Sequence, residues 1–338
     1  MMNLDYSLAS NWLPLFFFGA MGVSFLLYVV LDGYDLGVGI LLRRAGDEDK
    51  DVMISSIGPF WDANETWLVL AVGLLLVAFP YAHGVILTEL YLPAALMLMG
   101  LILRGVSFDF RVKVNIEQKP LWNFLFYFGS LVASLMQGIM IGRVIIGFES
   151  GWQGWLFSLF VALFLPIGYS LLGACWLIMK TEGALQKKAV QWAKGSLWLS
   201  ACGIALVSIA TPWFSPEIFH KWFTFPAFYW LMPIPIATGL LFILMHQILF
   251  NFDHNHYHAQ WIPFVSTVGI FWLALLGIAY SLFPYLVMDQ VTIWEAAAST
   301  DSLWMIFWGA VVVLPMILAY TAYSYKIFWG KTEELTYH

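Results

Sequence analysis

Residues 11–42 read NWLPLFFFGAMGVSFLLYVVLDGYDLGVGILL, an apolar run whose only formally charged side chains are Asp32 and Asp35. A transmembrane helix needs about 20 apolar residues, so this run predicts a membrane helix with two acids in its last third. Ionisable side chains are costly in hydrocarbon, and they normally face a bundle interior where they serve a pathway or a partner. The stretch therefore predicts a helical membrane protein with a hydrated, proton-accessible interior.

The composition of the whole chain supports the same class. Of 338 residues, 61% are hydrophobic and only 11% are charged, whereas a soluble domain is about a quarter charged. The two cysteines, Cys175 and Cys202, lie in apolar surroundings and form no haem-attachment or zinc spacing. The sequence contains no nucleotide-binding glycine loop, no nucleophile pair and no basic patch for nucleic acid.

Nine segments are long enough to span a bilayer, and the sixth is the shortest. Residues 1–12, MMNLDYSLASNW, carry no basic residue, so we expect the first helix to be retained and not cleaved as a signal peptide. The predicted spans are 11–42, 58–80, 82–104, 122–147, 154–179, 196–212, 225–250, 261–285 and 303–328.

The distribution of lysine and arginine tests this number of spans. With nine spans, the connections after spans one, three, five and seven share one side with the C-terminus. Of the 15 basic residues, all except Arg143 and Lys221 fall on that side. They are Arg43, Arg44, Lys50, Arg104, Arg111, Lys113, Lys119, Lys180, Lys187, Lys188, Lys194, Lys326 and Lys331. The bias predicts an outer N-terminus and a cytoplasmic C-terminus.

The connections on the opposite side are aromatic. They include FESGWQGW (148–155), TPWFSPEIFHKWF (211–223) and PYLVMDQVTIWE (284–295). Tryptophan and tyrosine settle at the headgroup level of a bilayer, so we expect these segments to form an interfacial belt. No soluble domain or internal repeat is present in the pattern, and we expect one transmembrane domain over residues 1–338.

Asp32 and Asp35 are three positions apart, so their side chains lie within about one helical turn of each other. Two poorly hydrated carboxylates this close would not both ionise easily, which suits a proton relay. Gly33 and Gly37 form a small-xxx-small pattern that allows another helix to approach closely. The alternative is that both acids only cap the cytoplasmic end of a tilted helix.

Asp62 and Glu65 repeat this spacing at the start of span two, behind Pro59. Trp61 and Asn64 add aromatic and hydrogen-bonding groups to the adjacent surface, which favours a functional site. Acids in the first turn are also stabilised by the helix macrodipole. Simple N-terminal capping therefore remains an equal explanation.

Arg104 and Asp109 lie at the same end of span three. A guanidinium beside a membrane carboxylate either neutralises it or binds an anionic group, and an interfacial anchor is the alternative. Glu89, nearer the outer half of this span, is a second candidate for a buried acid.

The histidines argue against a haem held by this chain. Two axial histidines must face each other at one depth, but His83 is at the outer end of span three and His246 at the inner end of span seven. His254, His256 and His258 in NFDHNHYH (251–258) could chelate a metal, although a solvated loop is the better interpretation. With no ligand set, we expect no redox catalysis from this chain alone.

The motifs of this chain resemble those of subunit II of the cytochrome bd-type quinol oxidases. They are LDGYDLGVG (31–39), GPFWDANETWL (58–68), LRGVSFDFR (103–111), LFPYL (282–286), TIWEAAAS (292–299) and LPMILAYTAYSYKIFWG (314–330). The resemblance covers essentially the whole chain in order, and the short loops are similar to those of the cyanide-insensitive branch. One departure is Glu295, where the family pattern has Asp.

The resemblance implies an all-α fold of nine helices, arranged as two four-helix bundles plus one peripheral helix. It implies a heterodimer with a homologous subunit I, which ligates b-type and d-type haems and oxidises quinol near the outer face of the bacterial inner membrane. Oxygen is then reduced to water with protons taken from the cytoplasm, without pumping. Some members bind a structural quinone in subunit II, and small single-helix subunits and lipid are further partners.

By motif, the resemblance assigns the proton route toward the haems to Asp35, Asp62 and Asp109. Asp32 also belongs to this route, with Trp61, Glu65 and Arg104 in support. Two other functions stay open. The chain could be a purely structural scaffold for subunit I, or a stand-alone proton-coupled transporter, although the sequence shows no paired broken helices of the kind that would support a transporter.

Overall fold

The structure is a computed structural model that describes residues 7–252 and 260–332. Within those residues, nine helical segments are long and apolar enough to cross a bilayer, which confirms the predicted number of spans. The helices are α1 Ala9–Leu41, α2 Asp47–Ile57, α3 Trp61–Ala78, α4 Pro80–Lys113, α5 Lys119–Ile145, α6 Trp152–Lys180, α7 Gly183–Phe214, α8 Pro216–Phe223, α9 Ala227–Leu231, α10 Pro233–Phe250, α11 Ile262–Leu282, α12 Ile293–Ala296 and α13 Thr300–Ile327.

The sixth span was predicted to be the shortest, and this prediction is wrong. Helix α7 has 32 residues and begins at Gly183, well before residue 196. Lysines at 187, 188 and 194 suggested a loop, but all three lie on the helix. Lys194 places its ammonium 5.0 Å from the centre of the Phe250 ring. Long lysine side chains can cover apolar surface while their charge stays at the interface.

One connection departs from the all-helical prediction. Strand β1, Tyr285–Val287, pairs antiparallel with strand β2, Val291–Thr292, and the hairpin leads directly into α12. Val287 and Val291 are β-branched residues that favour extended backbone. Asp289 turns the chain between them with a φ of 59°. The aromatic segment at 284–295 is therefore a folded hairpin and helix.

Helix α6 lies at the centre of the chain. It packs against α1, α5 and α7, and all of residues 171–178 are buried. Helix α13 is peripheral by comparison, since Leu303 is its one buried residue among those described. Helix α1 contacts both α6 and α13. Its acidic residues Asp32 and Asp35 are buried in the interior.

Candidate functional site

The acidic half of α1 is buried by a backbone contact with α6. A Cβ atom added at Gly37 would lie 1.8 Å from the carbonyl oxygen of Tyr169, and one at Gly173 would lie 2.5 Å from the carbonyl carbon of Gly37. The close approach predicted from the glycine spacing is therefore confirmed. Under this contact, Asp32 and Asp35 are completely buried.

Arg104 brings a positive charge from α4 to these acids. Its Nη2 atom donates to Oδ1 of Asp32 at 2.6 Å and also to Oε1 of Glu65 on α3. Arg104 and Asp32 are almost fully buried, whereas the Glu65 side chain is 28% exposed. The ion-paired group therefore joins three helices and reaches from the interior to the surface.

Asp35 belongs to a second group, which is held by hydrogen bonds. Nδ2 of Asn64 donates to Oδ2 of Asp35 at 2.8 Å and to the hydroxyl of Tyr34 at 2.9 Å. Tyr325 on α13 donates to Oδ1 of Asn64 at 3.0 Å, and its hydroxyl lies 2.6 Å from that of Tyr34. These contacts connect α1, α3 and the peripheral α13.

A third polar group lies deeper between α1, α5 and α6. Nε2 of Gln137 donates to the hydroxyl of Tyr28 at 2.7 Å, and the hydroxyl of Tyr169 donates to Oε1 of Gln137 at 2.6 Å. Asp32 lies close enough for its charge to act on both tyrosines. The polar interior therefore continues beyond the acids into the membrane-spanning core.

Several buried polar atoms of this site lack a hydrogen-bond partner among the described residues. They are Oδ2 of Asp32, Oδ1 of Asp35, and Nε and Nη1 of Arg104. Most buried polar atoms in proteins have a partner, either in the protein or in ordered water. A polar site with several such atoms meets the chemical requirement for internal water.

Asp62 and Asp109 lie apart from this buried group. Both are exposed, Asp62 in the first turn of α3 and Asp109 near the end of α4. Trp61 packs between these helix ends, with its ring 4.9 Å from that of Phe108. The structure therefore brings Asp32, Asp35, Glu65 and Arg104 together, and leaves two predicted site residues on the adjacent surface.

The suggestion that Glu89 is a buried acid is wrong. Its side chain is 48% exposed, and its nearest described cation is Arg143, with a separation of 3.9 Å between Oε2 and Nη2. Arg104 does not pair with Asp109 at the end of its own helix. Its guanidinium instead neutralises carboxylates on neighbouring helices.

His83 and His246 lie too far apart to share a haem. His83 lies in the first turn of α4 and His246 near the end of α10, at opposite ends of the spanning helices. Among the described residues, no three His, Cys, Asp or Glu side chains are grouped so that they could hold a metal ion. His254, His256 and His258 lie outside the described residues.

Sequence reasoning missed most of the uncharged members of the site. Gln137 could have been noticed as a strongly polar side chain in the middle of span four. Tyr34 lies between the two acids of the first motif and could have been included with them. Tyr325 had no comparable signal, because the segment AYTAYSY (319–325) contains three tyrosines of equal standing.

These features define the class of protein: a multi-pass helical membrane protein in which two acids and the guanidinium of Arg104 are buried together between helices. The chain belongs to the family of cytochrome bd terminal oxidase subunit II, whose family model matches residues 13–328. It is thus a multi-pass protein of the bacterial inner membrane and a subunit of a respiratory terminal oxidase.

Individual relatives support this assignment. The chain is 28% identical to subunit 2 of the cytochrome bd-I ubiquinol oxidase of Escherichia coli K12, over 93% of this chain and 94% of that protein. It is 25% identical to subunit 2 of the cytochrome bd ubiquinol oxidase of Bacillus subtilis 168, with 94% and 97% covered. In fold, it is similar to a chain in the structure of bd oxidase from Geobacillus thermodenitrificans, with a TM-score of 0.75 and 15% identity over 94% and 98% of the two chains.

Proposed function

We propose that this chain is the haem-free second subunit of a quinol oxidase and that its acids deliver protons to the partner subunit. In the complex, subunit I ligates the b-type and d-type haems, which supply the electron-transfer and oxygen chemistry when bound. Quinol is oxidised to quinone and oxygen is reduced to water. The cycle is electrogenic because the protons enter from the cytoplasm, and none is pumped. The names of the Escherichia coli and Bacillus subtilis relatives support this role.

The proposed arrangement has the N-terminus outside and the C-terminus in the cytoplasm, as the lysine and arginine bias indicates. We propose two four-helix bundles, α1, α3, α4 and α5, and α6, α7, α10 and α11, which pack against each other where α1 and α5 meet α6. Helix α13 would be the peripheral ninth helix. The whole chain, residues 1–338, forms one transmembrane domain, and lipid, small single-helix subunits and a structural quinone are further proposed partners.

One observation carries the proton role: the guanidinium of Arg104 holds the carboxylate of partly exposed Glu65 beside that of fully buried Asp32. Arg104 stays protonated, so it positions the two acids and carries no proton itself. A carboxylate that touches both the surface and the interior can accept a proton from water and pass it inward. In the proposed route, Asp62 and Asp109 collect protons at the cytoplasmic ends of α3 and α4. Asp32 and Asp35 then hold them beside the buried hydroxyls, with Trp61 shielding the entrance.

A purely structural role is the chief rival. Because Arg104 pairs with acids from two other helices, the same group could serve only to hold the helices and subunit I in place. The two roles differ in what they require of exposed Asp62. A relay needs the titratable carboxyl of Asp62. A scaffold needs at most a side chain of the same size that can accept hydrogen bonds, and asparagine provides one.

The test is Asp62→Asn in the assembled complex, with Asp301→Asn as the matched control, since Asp301 is an exposed first-turn acid on α13 at the opposite end of the chain. We expect haem content to be unchanged and quinol-driven oxygen uptake to fall about a hundredfold at neutral pH, the lower end of acid–base effects. Asp301→Asn should match the wild type.

Two outcomes would contradict the relay. Wild-type oxygen uptake at every pH with full haem content would show that Asp62 conducts no protons. Loss of the haem spectra in proportion to the loss of activity would instead favour the scaffold.

A further inference from the structure

A small pocket lies where α6 and α13 end and α11 begins. Its volume is about 190 Å³, and its lining includes Lys180, Lys331, Gln260, Trp261 and Trp329. The pocket is on the side of the chain where most of the basic residues gather. It holds two lysines and two indole rings within a few residues of the membrane-spanning segments.

Lys180 is a buried cation at the end of α6, with only 5% of its surface exposed. Its Nζ atom donates to the carbonyl oxygen of Phe328 at 2.6 Å. The ammonium also lies 5.0 Å from the Trp176 ring and 5.6 Å from the Phe60 ring. An ammonium has three donors, so Lys180 keeps hydrogen-bonding capacity for a ligand.

Lys331 enters the same pocket from the chain beyond α13. Its Nζ atom donates to the carbonyl oxygen of Thr181 at 2.9 Å and to Oε1 of Gln260 at 2.5 Å. The charges of Lys180 and Lys331 act on each other. None of the described lining residues is acidic, and Glu182, the acid whose charge acts on Lys331, lies exposed outside the lining.

Two like charges in a small pocket are unfavourable unless an anion joins them. Burial lowers the pKa of Lys331 even against the opposing charge of Glu182, so a bound anion would favour the charged lysine. The indoles of Trp261 and Trp329 are 49% and 70% exposed. Exposed tryptophans of this kind mark the headgroup level of a bilayer.

We propose that this pocket binds the phosphate group of an anionic phospholipid. Basic pockets between transmembrane helices on the cytoplasmic side are suited to anionic headgroups. The two ammonium groups would contact the phosphate oxygens, and the indoles would border the glycerol and the start of the acyl chains. A free phosphate ion has the same anionic oxygens, but it has no apolar group that could pack against the exposed indoles.

The test uses the assembled complex, stripped of lipid in detergent and titrated with phosphatidylglycerol or phosphatidylcholine while bound lipid is measured by native mass spectrometry. Lys331→Gln should weaken phosphatidylglycerol binding about fivefold, the effect of one lysine near a membrane surface. Lys331→Arg should keep it. The matched control is Lys326→Gln, because Lys326 is exposed in the last turn of α13 and lies outside the pocket.

A separate arm adds inorganic phosphate as competitor, which distinguishes the two sources of the anion. We expect millimolar phosphate to leave bound phosphatidylglycerol in place. The proposal is overturned if Lys331→Gln binds phosphatidylglycerol as the wild type does, or if phosphatidylcholine binds equally well. Displacement of the lipid by millimolar phosphate would assign the pocket to the free ion. Since the readout is bound lipid, the result does not depend on the proton route proposed above.

Discussion

Helices α6 and α13 are both apolar enough to span a bilayer, yet they differ in how much of their surface the rest of the chain buries. In the most apolar 18-residue stretch of α6, 56% is buried within the chain, whereas in the corresponding stretch of α13 only 11% is buried. Hydrophobic composition alone does not place a helix inside a membrane protein, because lipid tails are as apolar as leucine side chains. The difference must therefore come from specific contacts.

The two helices are held by different kinds of contact. Helix α6 is fixed along its length, where Gly173 and Tyr169 meet the backbone of α1. Helix α13 is fixed near its ends, by the aromatic cluster of Trp304 at one end and by the hydroxyl of Tyr325 at the other. The comparison predicts that substitutions around α6 cost much more than equivalent substitutions on α13.

The largest effect is expected for Arg104→Gln in the interior. Removing one partner of a buried ion pair typically costs about 3–5 kcal/mol, and Asp32 would be left without its cation. Denaturant unfolding of the complex in detergent measures the loss. Lys326→Gln on α13 is the matched control and should be neutral. An Arg104→Gln complex as stable as the wild type would show that the buried acids need no counter-charge.

Gly37→Ala tests the α1–α6 contact directly. Its new methyl group would collide with the Tyr169 backbone, and overpacking of this kind costs about 3 kcal/mol, the upper part of the usual range. Gly309→Ala on α13, where nothing lies within 4 Å, should stabilise the fold by about 0.5–1 kcal/mol, the helix-propensity gain of alanine over glycine. Unfolding free energies of the two variants decide the matter, and equal values would contradict the comparison.

Tyr325→Phe sharpens the account of α13, because it removes one hydroxyl and keeps the ring. The loss of its bonds to Asn64 and Tyr34 should cost about 1 kcal/mol. If Tyr325 also positions Asp35 through Asn64, the pH profile of oxygen uptake should shift. Tyr320→Phe, at an exposed tyrosine of the same helix, should change neither quantity. If Tyr325→Phe has the stability and the pH profile of the wild type, the hydrogen bonds of Tyr325 contribute neither to stability nor to the position of Asp35.

The smallest effect is expected at the hairpin that leads into α13. Hydrogen bonds from the backbone and hydroxyl of Thr292 lower the pKa of Glu295 and complete a capping box. A carboxyl with a lowered pKa stabilises the fold above its unfolded pKa of about 4.3, and this contribution disappears as pH falls through the folded value. Glu295→Ala should therefore lower the protection factors of the amides at residues 292–296 near neutral pH, to values that the wild type reaches only in acid. Equal protection factors at neutral pH would show that the cap is not formed.

Much of the fold could be predicted because the bilayer imposes simple lengths. The apolar runs gave the nine spans, and the spacing of Gly33 and Gly37 gave a close helix contact beside Asp32 and Asp35. Glu295 stood out in the sequence as a departure from the expected motif, and its side chain reaches back to Thr292 and closes a capping box.

The rest depended on which face of a helix turns inward, and hydropathy does not give that information. Glu89 and Arg104 lie on the same helix, yet one is half exposed and the other is buried by neighbouring helices. Tyr320, Tyr323 and Tyr325 could not be ranked from their sequence. Tyr325 is distinguished by its contact with Asn64, more than 250 positions away along the chain.

The distance along the chain between partners has a consequence for biosynthesis. Arg104, the cation that pairs with Asp32, is synthesised 72 positions after it. Tyr325, the partner of Tyr34, is synthesised 291 positions after Tyr34. The ribosome must therefore synthesise almost the whole polypeptide before α1 can form its contact with α13. Chains cut short before the final helix would lack the hydroxyl that Tyr325 places against Tyr34 and Asn64.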